Sequence, residues 1–121
     1  FITNPYAGSD GDIITAAAQN LGLGPVVGER SWGGVIGTDG RFELVDGTGV
    51  TQPRYAFAFH RHGFGVENHG TDPDIEVPLG PSDWENGEDL QLDVAVDETL
   101  ARLEEKPAMA PPELPPAAFT G

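Results

Sequence analysis

Apolar positions change their period along the chain. Ile13, Ile14, Ala17, Ala18 and Leu21 sit at helical spacing. Ser9 and Asp10 stand before them as N-cap candidates, and Asp12 adds negative charge to the first turn, where the helix dipole favours it. Gly22 and Gly24 supply the stop. Upstream, Phe1–Thr3 reads as the end of a strand, and Asn4-Pro5-Tyr6-Ala7-Gly8 as a turn. The first twenty-odd residues therefore predict strand, tight turn, helix.

The middle of the chain has β character. Val26-Val27 is a short strand, and Ser31-Trp32-Gly33-Gly34 a loop. Val35-Ile36 and Phe42–Val45 are expected to pair across a turn at Asp39-Gly40, with a second turn at Asp46-Gly47-Thr48-Gly49. Arg54 to His62 alternates, placing Tyr55, Phe57 and Phe59 on one face. Gly63 and Gly65 interrupt it before Val66-Glu67-Asn68, and Asp74–Leu79 predicts a last strand. After Pro81, Ser82-Asp83-Trp84-Glu85 matches a capping box. A helix is then expected from about Asp89 to Lys106, with Leu92, Val96, Leu100 and Leu103 along its apolar stripe. The predicted class is mixed α/β (α+β): a small β core, one helix after the Ser9 turn and a longer one near the end. Residues 1–106 form the folded unit in this reading, and 107–121, where five of fifteen residues are Pro, an extended tail.

Composition narrows the picture. Seventeen Gly and eleven Pro in 121 residues, with 38% apolar residues, allow only a small core that leans on other surfaces. The absence of Cys removes disulfides and thiolate metal sites. A net charge of −14 repels phosphate backbones, so no nucleic-acid partner is expected. No apolar run reaches the ~20 residues of a membrane span, and no membrane association is expected. The opening Phe1-Ile2-Thr3 shows no signal-peptide pattern and reads as mid-strand, which leads to the expectation of a fragment or cleavage product.

Gly8-Ser9-Asp10-Gly11 carries the strongest chemical signal. A serine hydroxyl needs a base and a stabilised oxyanion before it attacks a carbonyl. A strand-to-helix turn meets the second need, because first-turn N–H groups lack intrahelical partners. Small residues at 7, 8 and 11 let a peptide approach. Taken alone, however, a Ser before Asp at a helix start is also how an ordinary N-cap looks.

Three blocks in register change that balance. Asn4-Pro5-Tyr6-Ala7-Gly8-Ser9-Asp10-Gly11-Asp12 resembles the nucleophile segment of tricorn proteases, relatives of the C-terminal processing peptidases. Leu21–Gly24 with Val27-Gly28-Glu29-Arg30-Ser31-Trp32-Gly33-Gly34-Val35-Ile36-Gly37 resembles the next stretch of those proteases. Val66-Glu67-Asn68-His69-Gly70-Thr71-Asp72-Pro73-Asp74-Ile75-Glu76-Val77 resembles a third, in the same order. The resemblance implies the second half of a split catalytic domain and a tetrad of Ser, His, a second Ser and Glu. It puts the nucleophile at Ser9 and the Glu at Glu67, which would bond the second Ser and through it orient the His. It implies the Asp10 backbone N–H as oxyanion donor. Independently of the resemblance, Gly8, Trp32, Gly33 and Gly34 are expected near the substrate, as an aromatic face among glycines that let a peptide backbone approach. The His, the second Ser and the other oxyanion donor come from upstream in that family and are absent from these residues. Peptide-bond hydrolysis of short oligopeptides, a cytoplasmic location, a homo-oligomer and partnership with the upstream half are likewise implications of the resemblance. No cofactor is implied.

Other readings stay open beside this one. His60 and His62 alternate on a predicted strand, and with His69 and Asp72 or Asp74 they could chelate Zn²⁺, although no ligand motif with defined spacing is present. A local Ser9–His pair is a further possibility. Trp32 suits either a peptide groove or the edge of the core. Arg30 is expected to pair with Glu29 or Asp39. The same fold could also serve as a binding or assembly module without chemistry.

Overall fold

The computed structural model describes residues 1–113, the side chain of Trp84 left aside. Three short parallel strands, β1 (Ile2–Thr3), β2 (Val27–Gly28) and β5 (Ile75–Glu76), form a sheet in the order β1-β2-β5. Ile2 lies beside Val27 and Val27 beside Ile75. Parallel neighbours need a crossover, and α1 (Asp10–Leu21) supplies it between β1 and β2. The helix ends where Gly22 turns left-handed at φ 63° and its N–H, with that of Leu23, closes on the carbonyls of Gln19 and Ala18.

The apolar positions of α1 do not all turn inward. Asp12, Thr15, Ala16 and Ala18 are buried, whereas Ile14 and Leu21 are exposed. Ala16 packs with Val35 and Val66, and Ile13 and Phe59 lean on that cluster. Among the described residues, buried polar side chains (Thr3, Asp12, Thr15, Ser31, Thr71, Gln91) match the buried apolar ones in number. An interior of this kind is held as much by directed hydrogen bonds as by apolar burial.

A second, two-stranded sheet pairs β3 (Gly37–Glu43) antiparallel with β4 (Gly49–Tyr55). The expected turn at Asp39-Gly40 lies inside β3, at an irregularity of register, and the chain reverses at Leu44–Thr48 instead. Val35 and Ile36 precede the strand rather than forming it. The alternating stretch to His62 is strand only as far as Tyr55; beyond that, Phe59 and Gly63 make an isolated bridge.

Two helices complete the order. In α2 (Pro81–Asn86) the capping lies two residues upstream of the expected box: Pro81 opens the helix and Asp83 Oδ2 accepts the Gly80 N–H at 2.6 Å. In α3 (Leu90–Glu105) Asp89 caps the N-terminus, accepting the Leu92 N–H at 3.0 Å. The face that meets the parallel sheet carries buried Gln91, whose amide donates to the Val77 carbonyl at 2.9 Å. The predicted stripe of Leu92, Val96, Leu100 and Leu103 is instead exposed. Among the described residues no helix is long and apolar enough to cross a membrane. The expected proline-rich tail lies outside the described residues from 114 onward; 107–113 is exposed and without regular structure.

Candidate active site

The turn after β1 delivers Ser9 to the start of α1 in an unusual state. Its backbone sits at φ 53°, ψ −108°, outside the conformations an L-residue adopts freely. Such a residue costs about 1–3 kcal/mol and persists only where its surroundings over-determine it. Ser9 occupies the N-cap position yet makes no side-chain cap hydrogen bond, and it is exposed. Its carbonyl accepts the Ile13 N–H at 2.9 Å, while Gly11 donates to the Gly8 carbonyl at 2.9 Å. Among the described residues neither the Ser9 hydroxyl nor the Asp10 N–H has a hydrogen-bond partner. A free hydroxyl and a free first-turn N–H thus stand side by side. They are the two groups that acyl transfer requires of a nucleophile turn.

Beside this turn runs a strap, residues 31–36, that belongs to no helix or strand. Every backbone N–H along it has an acceptor. Ser31 donates to the Thr71 carbonyl at 3.1 Å and Trp32 to the Ala7 carbonyl at 3.0 Å. Gly33 and Gly34 donate to Asp12 Oδ1 and Oδ2 at 2.8 and 3.0 Å. Val35 and Ile36 both donate to Glu67 Oε2, at 2.7 and 2.9 Å. An irregular backbone cannot satisfy its own donors, and here two carboxylates do so.

Asp12 was visible in the sequence only as a favourable first-turn charge. It is fully buried, and its Oδ1 also accepts the Ser31 hydroxyl at 2.5 Å. Ser31 Oγ in turn accepts the Thr71 N–H at 2.8 Å, tying helix, strap and the 66–77 block together. Only one sequence signal pointed this way: a Gly-Gly loop with no helix or strand to satisfy it must find acceptors elsewhere.

The remaining expected site residues take distinct positions. Glu67 is half-buried; Oε2 is occupied by the strap, and Oε1 has no partner among the described residues. Trp32 is 67% exposed, so it is not a core residue. Its ring lies over Gly8 and Gly34, where an added Cβ would come within 2.7 and 2.4 Å of it. Gly33 is buried at φ 95°, with the His69–Gly70 backbone 2.5 to 2.8 Å from where its Cβ would be. The close approach that glycine permits at 33 is to the protein's own chain. A groove lined by Pro5, Glu29, Arg30, Ser31, Trp32 and Glu76 opens beside the Trp32 ring.

Arg30 pairs with neither Glu29 nor Asp39. It donates to the His69 carbonyl and lies 4.0 Å from Asp72, because the 69–72 turn crosses its path. Asp39 is instead paired by Arg41 on its own strand and by Arg54 across the β3–β4 hairpin. The histidines do not share a strand face. His60 is exposed, His62 stands edge-on to Phe59, and His69 bonds Asp72 at 2.8 Å. Burial, assisted by Arg61, holds the His62 imidazole below its usual pKa. Among the described residues no group of three or more His, Cys, Asp or Glu is placed to hold a metal ion.

Comparison with known proteins bears on this arrangement directly. The model of peptidase family S41 matches residues 1–77. Tricorn protease homolog 1 of Streptomyces coelicolor is 60% identical over 114 residues, covering 94% of this chain and 11% of that protein. The tricorn protease of Thermoplasma acidophilum is 51% identical over 102 residues, 84% of this chain and 10% of its own length. A crystal structure of the tricorn protease superimposes with a TM-score of 0.79 at 50% identity, covering 85% of this chain and 10% of that one. The chain thus spans about a tenth of the length of the relatives it matches. On the family match across the Ser9 turn, the strap and the Glu67 block, this chain belongs to peptidase family S41, among its tricorn-type proteases.

Proposed function

We propose that this chain supplies the nucleophile side of a serine peptidase site. Ser9 Oγ attacks the scissile carbonyl carbon while a His base from outside these residues takes the hydroxyl proton. The same base returns the proton to the leaving amine, and water then hydrolyses the Ser9 ester. The Asp10 N–H helps hold the oxyanion in both steps. Glu67 presents Oε1 to a second Ser, which orients the His. Trp32, above Gly8 and Gly34, forms one wall of the peptide groove. By extension from tricorn-type relatives, the substrates are short oligopeptides, the setting is cytoplasmic, and the working unit is an oligomer that includes an upstream half.

One observation carries this reading: Ser9 occupies an N-cap position in a strained conformation with its hydroxyl left free. An ordinary N-cap serine is relaxed and bonds its own helix. The decisive test is fluorophosphonate labelling of the full-length protease. A single adduct on Ser9 is expected; intact protein with no adduct there points to a non-catalytic binding or assembly module. The isolated 121 residues are expected to show no peptidase activity. Turnover by them, lost on Ser9→Ala, would reveal a base among the local histidines.

A further inference from the structure

Asp12 is a fully buried carboxylate with no part in the chemistry above. Both oxygens are occupied by the Ser31 hydroxyl and the Gly33 and Gly34 N–H groups, so it cannot meet substrate or act as a base. It is the third helical residue of α1, where an acidic side chain commonly reaches back to cap its own helix. Here it turns to the strap instead. The strap then grips the nucleophile turn from both flanks: the Trp32 N–H holds the Ala7 carbonyl on one side, and Asp12 anchors the helix on the other.

We infer that Asp12 is a positioning residue that keeps Ser9 in its strained, uncapped state. The inference rests on Ser9 being the nucleophile. The alternative state is built into the local sequence. A Ser at an N-cap relaxes towards extended φ/ψ and turns its oxygen onto the first-turn N–H groups of its helix. In that state the hydroxyl is engaged and the oxyanion donors are covered. Ser9 is kept from it because residues 7 and 12 are each fixed to the strap, which is itself fixed to Thr71, Asn68 and Glu67. Asp12→Asn keeps the shape but points an NH2 at one of three donors, which loosens one flank.

The test compares wild type, Asp12→Asn and Ser31→Ala in the full-length chain. It measures the rate of fluorophosphonate labelling at Ser9, folded fraction by near-UV circular dichroism, and kcat and KM on a chromogenic peptide. Misplacement of a nucleophile by about 1 Å costs up to about 100-fold, so Asp12→Asn is expected to label about 10- to 100-fold more slowly while still folded. The loss should fall on kcat, with KM changed by less than about twofold. A purely structural role would lower the melting temperature and leave the labelling of folded protein unchanged; that result overturns the inference. If Asp12→Asn does not fold, Ser31→Ala decides, since it removes one of the three donors to Asp12 together with the acceptor of the Thr71 N–H. Labelling about fivefold slower or more, in line with the loss of these two hydrogen bonds, supports the inference, and a wild-type rate overturns it. Failure of wild type itself to label at Ser9 removes the nucleophile reading first, before any variant is considered.

Discussion

The strap and the β3–β4 hairpin are adjacent in sequence and opposite in construction. The strap has no repetitive structure, yet all its N–H groups are bound by groups more than 20 residues distant in sequence, two of them carboxylates. The hairpin satisfies itself by regular pairing but packs mainly on itself, and Phe42, Leu44, Val45 and Tyr55 stay exposed. A two-stranded ribbon without a covered face is marginal in water. The regular hairpin is therefore the weaker of these two regions, and the irregular segment beside Ser9 the firmer one. Positional precision here comes from carboxylates that bind the strap's backbone N–H groups from other segments, whereas the hairpin's charged contact, Arg54 with Asp39, joins only its own two strands.

Experiment can probe that contrast at several depths. The largest effect belongs to the residue that the strap supports. Ser9→Ala should lower kcat of the full-length protease by about 10⁴-fold or more, with the fold retained in circular dichroism. A smaller loss would mean that the turn is not where the chemistry occurs. Next is hydrogen exchange. Amides of 33–36 should exchange about 100-fold more slowly than those of 38–54, and equal protection would dissolve the distinction between the two regions.

The same substitution placed in each region gives a finer comparison. Gly33→Ala meets backbone at 2.5 Å as well as a left-handed φ, and should cost about 3 kcal/mol or more. Gly47→Ala, at φ 82° in the hairpin turn with nothing within 4 Å, should cost about 1–2 kcal/mol. Thermal melting of both variants checks the difference. The smallest effect is a dependence on pH. The folded state keeps His62 below its ordinary pKa, so the unfolded chain binds more protons near that value. The stabilisation is fully present above the unfolded pKa and is lost as pH falls through the folded one. His62→Gln should flatten that acid-side loss in a melting series, and an unchanged slope would place its origin in the carboxylates.

Much of the local plan was legible from residue types. The strand-turn-helix at Ser9, the Gly22 stop and the Asp89 start of α3 all come from capping and turn chemistry, which acts over a few residues. The hairpin was harder, because Asp39-Gly40 and Asp46-Gly47 are equally good turn pairs. The choice fell to cross-strand register, with Arg54 of β4 reaching Asp39 of β3. The face of α3 was misassigned, and the polar residues that α1 buries were missed, for a related reason. Periodicity favours apolar stripes, whereas these helices bury Asp12, Thr15 and Gln91 to satisfy polar groups on other segments.

Residue order alone was enough for the succession of elements around Ser9 and, through three matching blocks, for kinship with tricorn-type proteases. The folded arrangement was needed to show that the Ser9 hydroxyl is left free, that Asp12 is a brace rather than a cap, and that Glu67 has one oxygen committed and one open. The physical reason is reach. Caps and turns are contacts between near neighbours, while a carboxylate inside the fold can be satisfied by any donors brought to it, and for Asp12 and half-buried Glu67 they lie 19 to 32 residues away.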